Sequence, residues 1–284
     1  MKTRTVLTLM VVTALAGCGG GSSSSGRAVV ASFYPLAFAA QQIGGDRIDV
    51  RNLTPPGVEP HDLELSGSDV RTIADADLVL YLGEGFQPSL EDAIDSTSAH
   101  AVDLLAAVDT RAGGESERGV DPHVWLDPVR YAAIAERIGA ELDRTPEAER
   151  FAAKLRALDR ELGRGLSGCE RKEIVTSHAA FGYLAERYGL KQVAITGVAP
   201  EAEPTPRDLE DVVRQVRAVG ATTVFFETLV SPRLAETVAR EVGAKTAVLD
   251  PLEGLTEKEA AAGEDYFSVM RENLAALRKA LGCP

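Results

Sequence analysis

Basic residues are in short supply: 30 Lys and Arg stand against 43 Asp and Glu, for a formal net charge of -13. That deficit excludes nucleic acid as a partner, because phosphate backbones require a Lys/Arg surplus. Catalytic signatures are also missing, with no HExxH, GxSxG or P-loop pattern anywhere in the chain. There are three cysteines, none in a CxxC-like spacing, which argues against a thiolate zinc site. The apolar run Val6 to Ala16 is too short to span a bilayer. What remains is 284 residues, 45% hydrophobic and 26% charged, enough for one large or two smaller globular domains. The acidic balance serves solubility first and suits small cations better than anions.

Lys2 and Arg4 followed by Val6 to Ala16 read as a secretory signal, residues 1–17. Leu15-Ala16-Gly17-Cys18 resembles the lipobox of bacterial lipoproteins, in which the cysteine becomes the lipid-modified first residue. The alternative, a structural Cys18, is opposed by the Gly/Ser tract that follows to Gly26, a flexible tether over 18–27. Loss of Lys2 and Arg4 moves the charge from -13 to -15. In an exported protein the remaining pair, Cys169 and Cys283, is expected to form a disulfide, the alternative being two buried free thiols.

The mature chain alternates β-rich runs with helical patterns. Ala28 to Phe33, Ile48 to Thr54 and Asp77 to Leu82 read as strands, with helices at Pro35 to Ile43 and Ser66 to Ala74. From Val129 to about Leu166, apolar residues Ile134, Ile138, Leu142, Phe151, Leu155, Leu158 and Leu162 recur at mostly helical spacing, and Thr145-Pro146 either kinks or restarts the helix. Alternation then resumes with strands at Ile174 to Ser177, Gln192 to Thr196, Thr223 to Phe226 and Thr246 to Leu249. Their intervening helices are Ala179 to Tyr188, Pro206 to Val219 and Pro232 to Val242, and a last helix runs over Tyr266 to Leu281. The expected class is α/β: two Rossmann-like lobes with mostly parallel sheets, 28–127 and 168–284, joined by one long backbone helix over 128–167.

Only four histidines are present, and three have specific settings. His178 and Asp250 each end a predicted strand, where ligands of open α/β sheets bind. His61 lies in the loop Thr54-Pro55-Pro56-Gly57-Val58-Glu59-Pro60-His61-Asp62, and His123 in Asp121-Pro122-His123-Val124-Trp125-Leu126-Asp127-Pro128. A proline before each restrains the chain. Three imidazoles and a carboxylate suit tetrahedral zinc, whereas manganese and calcium prefer more oxygen. A single loop histidine is ordinarily a surface or capping residue, which is how His100 reads, and Asp250 before Pro251 has turn capping as its alternative. Glu227, on the same strand-end rim, and Glu59, beside His61, are candidates to support the ligands from behind, with solvent exposure as the alternative.

The segments Pro56 to Glu64, Asp121 to Pro128, Ser177 to Tyr183 and Leu249 to Leu252 resemble the signature segments of the zinc/manganese solute-binding proteins of ABC importers, the cluster A-I class. That resemblance implies metal bound between two lobes joined by a rigid helix and delivered to an ABC permease with its ATPase. It carries His61, His123, His178 and Asp250 over as ligands. Histidine at 178, where manganese members have Glu, points to zinc, with manganese as the weaker alternative. The loop Asp109 to Val120 departs from many zinc members in having no histidine. The expectation is a monomeric zinc-binding component, lipid-anchored on the outer face of the cell membrane or in the periplasm, and not an enzyme. A metal-dependent adhesin and, further off, a zinc hydrolase with Glu59 or Glu227 as base are the alternatives. The segment Leu252 to Asp265, lacking an apolar period, is expected to be mobile.

Overall fold

A computed structural model describes residues 26–113, 119–200 and 204–284. The signal, Cys18 and most of the tether lie outside these residues, as do 114–118 of the Asp109 to Val120 loop. In the first lobe, β1 (Arg27–Ala31), β2 (Ile48–Asn52), β3 (Leu78–Tyr81) and β4 (Ala101–Asp103) form a parallel sheet in the order β2-β1-β3-β4. Helices α1 (Tyr34–Gly44), α2 (Gly67–Ala74) and α3 (Pro88–Asp95) make the crossovers. The second lobe repeats the layout. Its β5 (Glu173–Thr176), β6 (Lys191–Ala194), β7 (Thr223–Phe226) and β8 (Lys245–Val248) run parallel in the order β6-β5-β7-β8.

Local signals explain most element ends. Ser66 and Thr205 each close a capping box, on α2 and on α7 (Pro206–Ala218). Gly189 and Gly243 adopt left-handed conformations that stop α6 (Gly182–Tyr188) and α8 (Arg233–Val242). All pairings being parallel, β1, β3, β5 and β7 sit between neighbours and carry near-continuous apolar side chains.

The expected single long helix is two. α4 (Pro128–Glu141) ends, the chain turns through Leu142 to Arg144, and α5 (Thr145–Gly165) folds back along it. Asp143 has φ 55°, a left-handed step that no continuous helix contains. Close contact follows: a Cβ on Gly139 would lie 2.2 Å from the Ala148 Cβ. Only α5 continues to the second lobe. Its buried Phe151, Leu155, Leu158 and Leu162 share one core with α1 and with α10 (Tyr266–Leu281). The lobes are therefore joined by a common apolar core as well as by a chain. Cys169 and Cys283 form the expected disulfide, fastening the entry to β5 to the end of α10.

Of the segment expected to be mobile, only the first part is packed into the core, and 257–265 are exposed or half-buried. Leu252, Glu253 and Leu255 are buried, and α9 (Glu257–Ala262) starts from a Thr256 capping box. The burial comes from contacts distant in sequence, which no local period reports.

Candidate metal centre

Strand ends and rigid loops bring His61, His123, His178 and Glu253 to one point, with ligand atoms all within 4.8 Å of one another. His61 follows β2. Its loop is held by the Thr54 hydroxyl donating to Ser32 O (2.8 Å), by Gln87 Nε2 donating to Pro60 O (3.1 Å), and by Gly57 N donating to Leu255 O of the other lobe (2.9 Å). Gly57 has φ 83°, which favours glycine there. The His61 ring stands edge-on to Phe86, 4.7 Å between centroids.

His123 is fully buried ahead of a short 3₁₀ turn, Val124–Leu126. Its Nδ1–H and its backbone N–H both donate to Asp121 Oδ1, at 2.8 and 3.0 Å. His178, equally buried, leaves β5, and its Nδ1–H donates to Glu227 Oε1 at 2.7 Å. Since an ionised carboxylate only accepts, both rings carry a proton on Nδ1 and turn Nε2 inward, where a metal or a second proton can bind. Those two Nε2 atoms are 3.2 Å apart. Glu253 Oε1 lies 3.3 Å from His61 Nε2, 2.9 Å from His123 Nε2 and 3.3 Å from His178 Nε2.

These separations test the fit of an ion. A zinc ion about 2.0–2.1 Å from four tetrahedral donors needs them about 3.3 Å apart. Four of the six separations run from 2.9 to 3.3 Å, and the two between His61 and the other rings lie within 4.8 Å. Lone pairs from neutral imidazoles and an anionic oxygen meeting in a buried site call for a cation, and without a metal a proton takes that part. Burial opposes charge on His178, but Glu227 and Glu253 outweigh it and hold its pKa well above the ordinary 6.5. His123 is raised too: burial again opposes, and Asp121 and Glu253 prevail. Burial would raise Glu253, yet His178 and the hydrogen bonds from the rings pull it well below the usual carboxylate range.

Asp250 is not brought into the cluster. Its Oδ2 accepts from the Thr228 hydroxyl and its Oδ1 from Leu252 N, both at 2.6 Å. The turn after β8 puts Leu252 at φ 56°, and this swing delivers the carboxylate three residues further on. The turn-capping alternative for Asp250 is the one its contacts describe. Sequence reasoning missed Glu253 and Asp121, although both are acids inside the quoted motif neighbourhoods. Strand-end position favoured Asp250, and a carboxylate two residues before a histidine is a weak signal alone. Glu227 holds His178, while Glu59 stands outside the cluster, its Oε2 accepting from Asp62 N at 3.2 Å. Exposed His100 lies apart, next to Glu141 at 3.3 Å.

Two matching parallel sheets meeting over a buried three-histidine, one-carboxylate cluster define a two-lobed metal-binding protein. The chain belongs to the family described as zinc-uptake complex component A, periplasmic (ZnuA), whose model matches residues 29–280. It is 39% identical over 290 residues to the zinc-binding lipoprotein AdcA of Streptococcus pneumoniae, covering 93% of this chain and 58% of AdcA. The chain thus spans less than two thirds of the length of that relative. It is 36% identical over 299 residues to the high-affinity zinc uptake system protein ZnuA of Bacillus subtilis, covering 94% and 93% of the two chains. Among solved structures, the Zn(II)-bound ZnuA-like domain of Streptococcus pneumoniae AdcA matches with TM-score 0.77 and 38% identity, over 90% of this chain and 99% of that one. The laminin-binding adhesin Lmb of Streptococcus agalactiae matches with TM-score 0.82 and 32% identity, over 90% and 100%.

Proposed function

We propose that this protein is the extracytoplasmic zinc-capturing component of an ABC metal importer, with His61, His123, His178 and Glu253 as the ligands. The observation that carries this reading is the convergence of three imidazoles and one carboxylate within 4.8 Å, four of their six separations being close to the edge of a zinc tetrahedron. Names borne by relatives support the same cargo. With Glu253 in the fourth position no site is left for an activated water, which removes the support for a hydrolase. Three nitrogens to one carboxylate favour zinc over manganese.

In this reading residues 28–127 and 168–284 are the two halves of the clamp, and 128–167 is the connector. The protein is a monomer tethered through a lipid on Cys18, it faces the outside of the cell or the periplasm, and it passes zinc to a permease driven by an ATPase. Metal-stripped protein should take up one equivalent of zinc in a competition titration. Glu253→Gln, His61→Ala, His123→Ala and His178→Ala should each weaken binding by about tenfold or more. Unchanged affinity in any of them would remove that residue from the set.

A further inference from the structure

We propose that Asp250 is a positioning residue for the metal site: its carboxylate braces the turn that presents Glu253 and ties that turn to the strand end carrying Glu227, without touching the ion. This rests on the zinc-site reading above and assigns a residue within it. Both carboxylate oxygens are committed at 2.6 Å, Oδ1 to the Leu252 N–H and Oδ2 to the Thr228 hydroxyl. Leu252 has φ 56°, a conformation rare for a large side chain, so something must hold it there. The Asp250 bond does so directly, and the side chain of Leu252 is fully buried in the shared core.

Neighbouring bonds fix the rest of the turn. Asn273 of α10 accepts from Asp250 N at 2.8 Å and donates to Asp250 O at 2.7 Å. Trp125, two residues beyond His123, donates its indole N–H to Pro251 O at 2.7 Å. Residues 250 to 252 thus each have a fixed point, and Glu253 follows from a set position. On the other side Thr228 is bonded in sequence to Glu227, which orients His178. One carboxylate therefore stands between the mounts of two ligands. It also borders a cavity of about 830 Å³ beside β8 and α10 that none of the four proposed ligands lines.

Burial pushes the Asp250 carboxyl up to about 7, against the lowering bonds from Thr228 and Leu252. Hydrogen-bonding capacity, not charge, is what the brace requires. Asparagine supplies it: Oδ1 can accept from Leu252 N–H, and Nδ2 can donate to the Thr228 oxygen.

The test uses zinc affinity together with the visible d–d absorption of cobalt(II), which is intense when the ion is tetrahedral and weak at higher coordination. Wild-type protein that takes up neither ion at one equivalent would remove the site itself, independently of Asp250. Given wild-type binding, Asp250→Asn should keep zinc affinity within about threefold and leave the cobalt spectrum unchanged, whereas Asp250→Ala should weaken affinity about tenfold or more and dim the band. An asparagine variant as impaired as Glu253→Gln would make Asp250 a ligand and overturn the proposal. So would an alanine variant that matches wild type. Should the alanine variant fail to fold, Thr228→Val decides, because it cuts the same brace from the other end: a dimmed band is expected, and an unchanged one overturns the proposal.

Discussion

In the proposed site protons and zinc compete for the same atoms, and the direction of that competition follows from the carboxylates behind the rings. His178 is held well above 6.5 by Glu227 and Glu253, and His123 is raised by Asp121 and Glu253, in each case against burial. A histidine raised on folding stabilises the metal-free protein fully below its unfolded value of about 6.5, and that contribution is lost as pH rises through the folded value. Metal-free protein should therefore lose stability as pH rises above about 6.5, while zinc affinity grows over the same range as the protons leave. Thermal melts of apo protein and competition titrations between pH 5 and 9 check both slopes. Calorimetry in buffers of different ionisation enthalpy should find more than one proton released per zinc. A flat affinity across the range would mean that the histidines do not bind the metal.

At the level of elements, the pattern legible in the sequence was the spacing of buried residues, and the pattern missed was the direction of the chain. Ile134, Ile138 and Leu142 are spaced as a helix, as are Phe151, Leu155, Leu158 and Leu162, and all seven are buried. The step of nine positions from Leu142 to Phe151 marks the turn from α4 to α5, but periodicity alone does not distinguish a kink from a reversal. The short β4 was missed for a related reason: three residues are too few to show alternation. Packing of the α4–α5 pair permits a sharp test at Gly139. Alanine is the better helix former by about 1 kcal/mol, yet its Cβ would meet Ala148 at 2.2 Å. Gly139→Ala should destabilise by about 1–3 kcal/mol through overpacking. Urea unfolding with an unchanged m-value checks it, and a stabilised variant would show that the helices separate easily.

Across the whole molecule, the two lobes are bonded to each other by residues that neighbour the histidine cluster in sequence. Trp125 donates to Pro251 O at 2.7 Å and its own carbonyl accepts from Tyr266 OH at 2.7 Å, so both ends of this residue grip the second lobe. Tyr183 OH donates to Asp121 O at 2.7 Å and accepts from Arg111 N at 2.8 Å. Tyr131 and Tyr266 pack with centroids 4.7 Å apart inside the common core. Opening the lobes wide would expose that core and break these bonds together, so zinc is expected to act on local order and not on lobe angle. Scattering with and without zinc should give nearly the same radius, while hydrogen exchange should slow in the His61 loop and the Pro251 to Leu255 turn. A large change in radius would show that the lobes hinge. Trp125→Phe, which keeps the ring and drops the N–H, should speed zinc release severalfold; an unchanged off-rate would confine Trp125 to packing.

Local chemistry was enough to settle the class of protein. Alternating apolar runs and helix signals gave two α/β lobes, and histidines at strand ends and after prolines marked three of the four residues that meet. The Cys169 to Cys283 pairing was likewise expected from export and is present. The fourth converging residue was decided only by tertiary structure. Asp250 and Glu253 lie three apart on one turn, and which carboxylate faces the histidines depends on the left-handed step at Leu252. Contacts far away in sequence hold that step, Asn273 and Trp125 among them. A chain direction set by such distant contacts leaves no period or motif in the residues that turn.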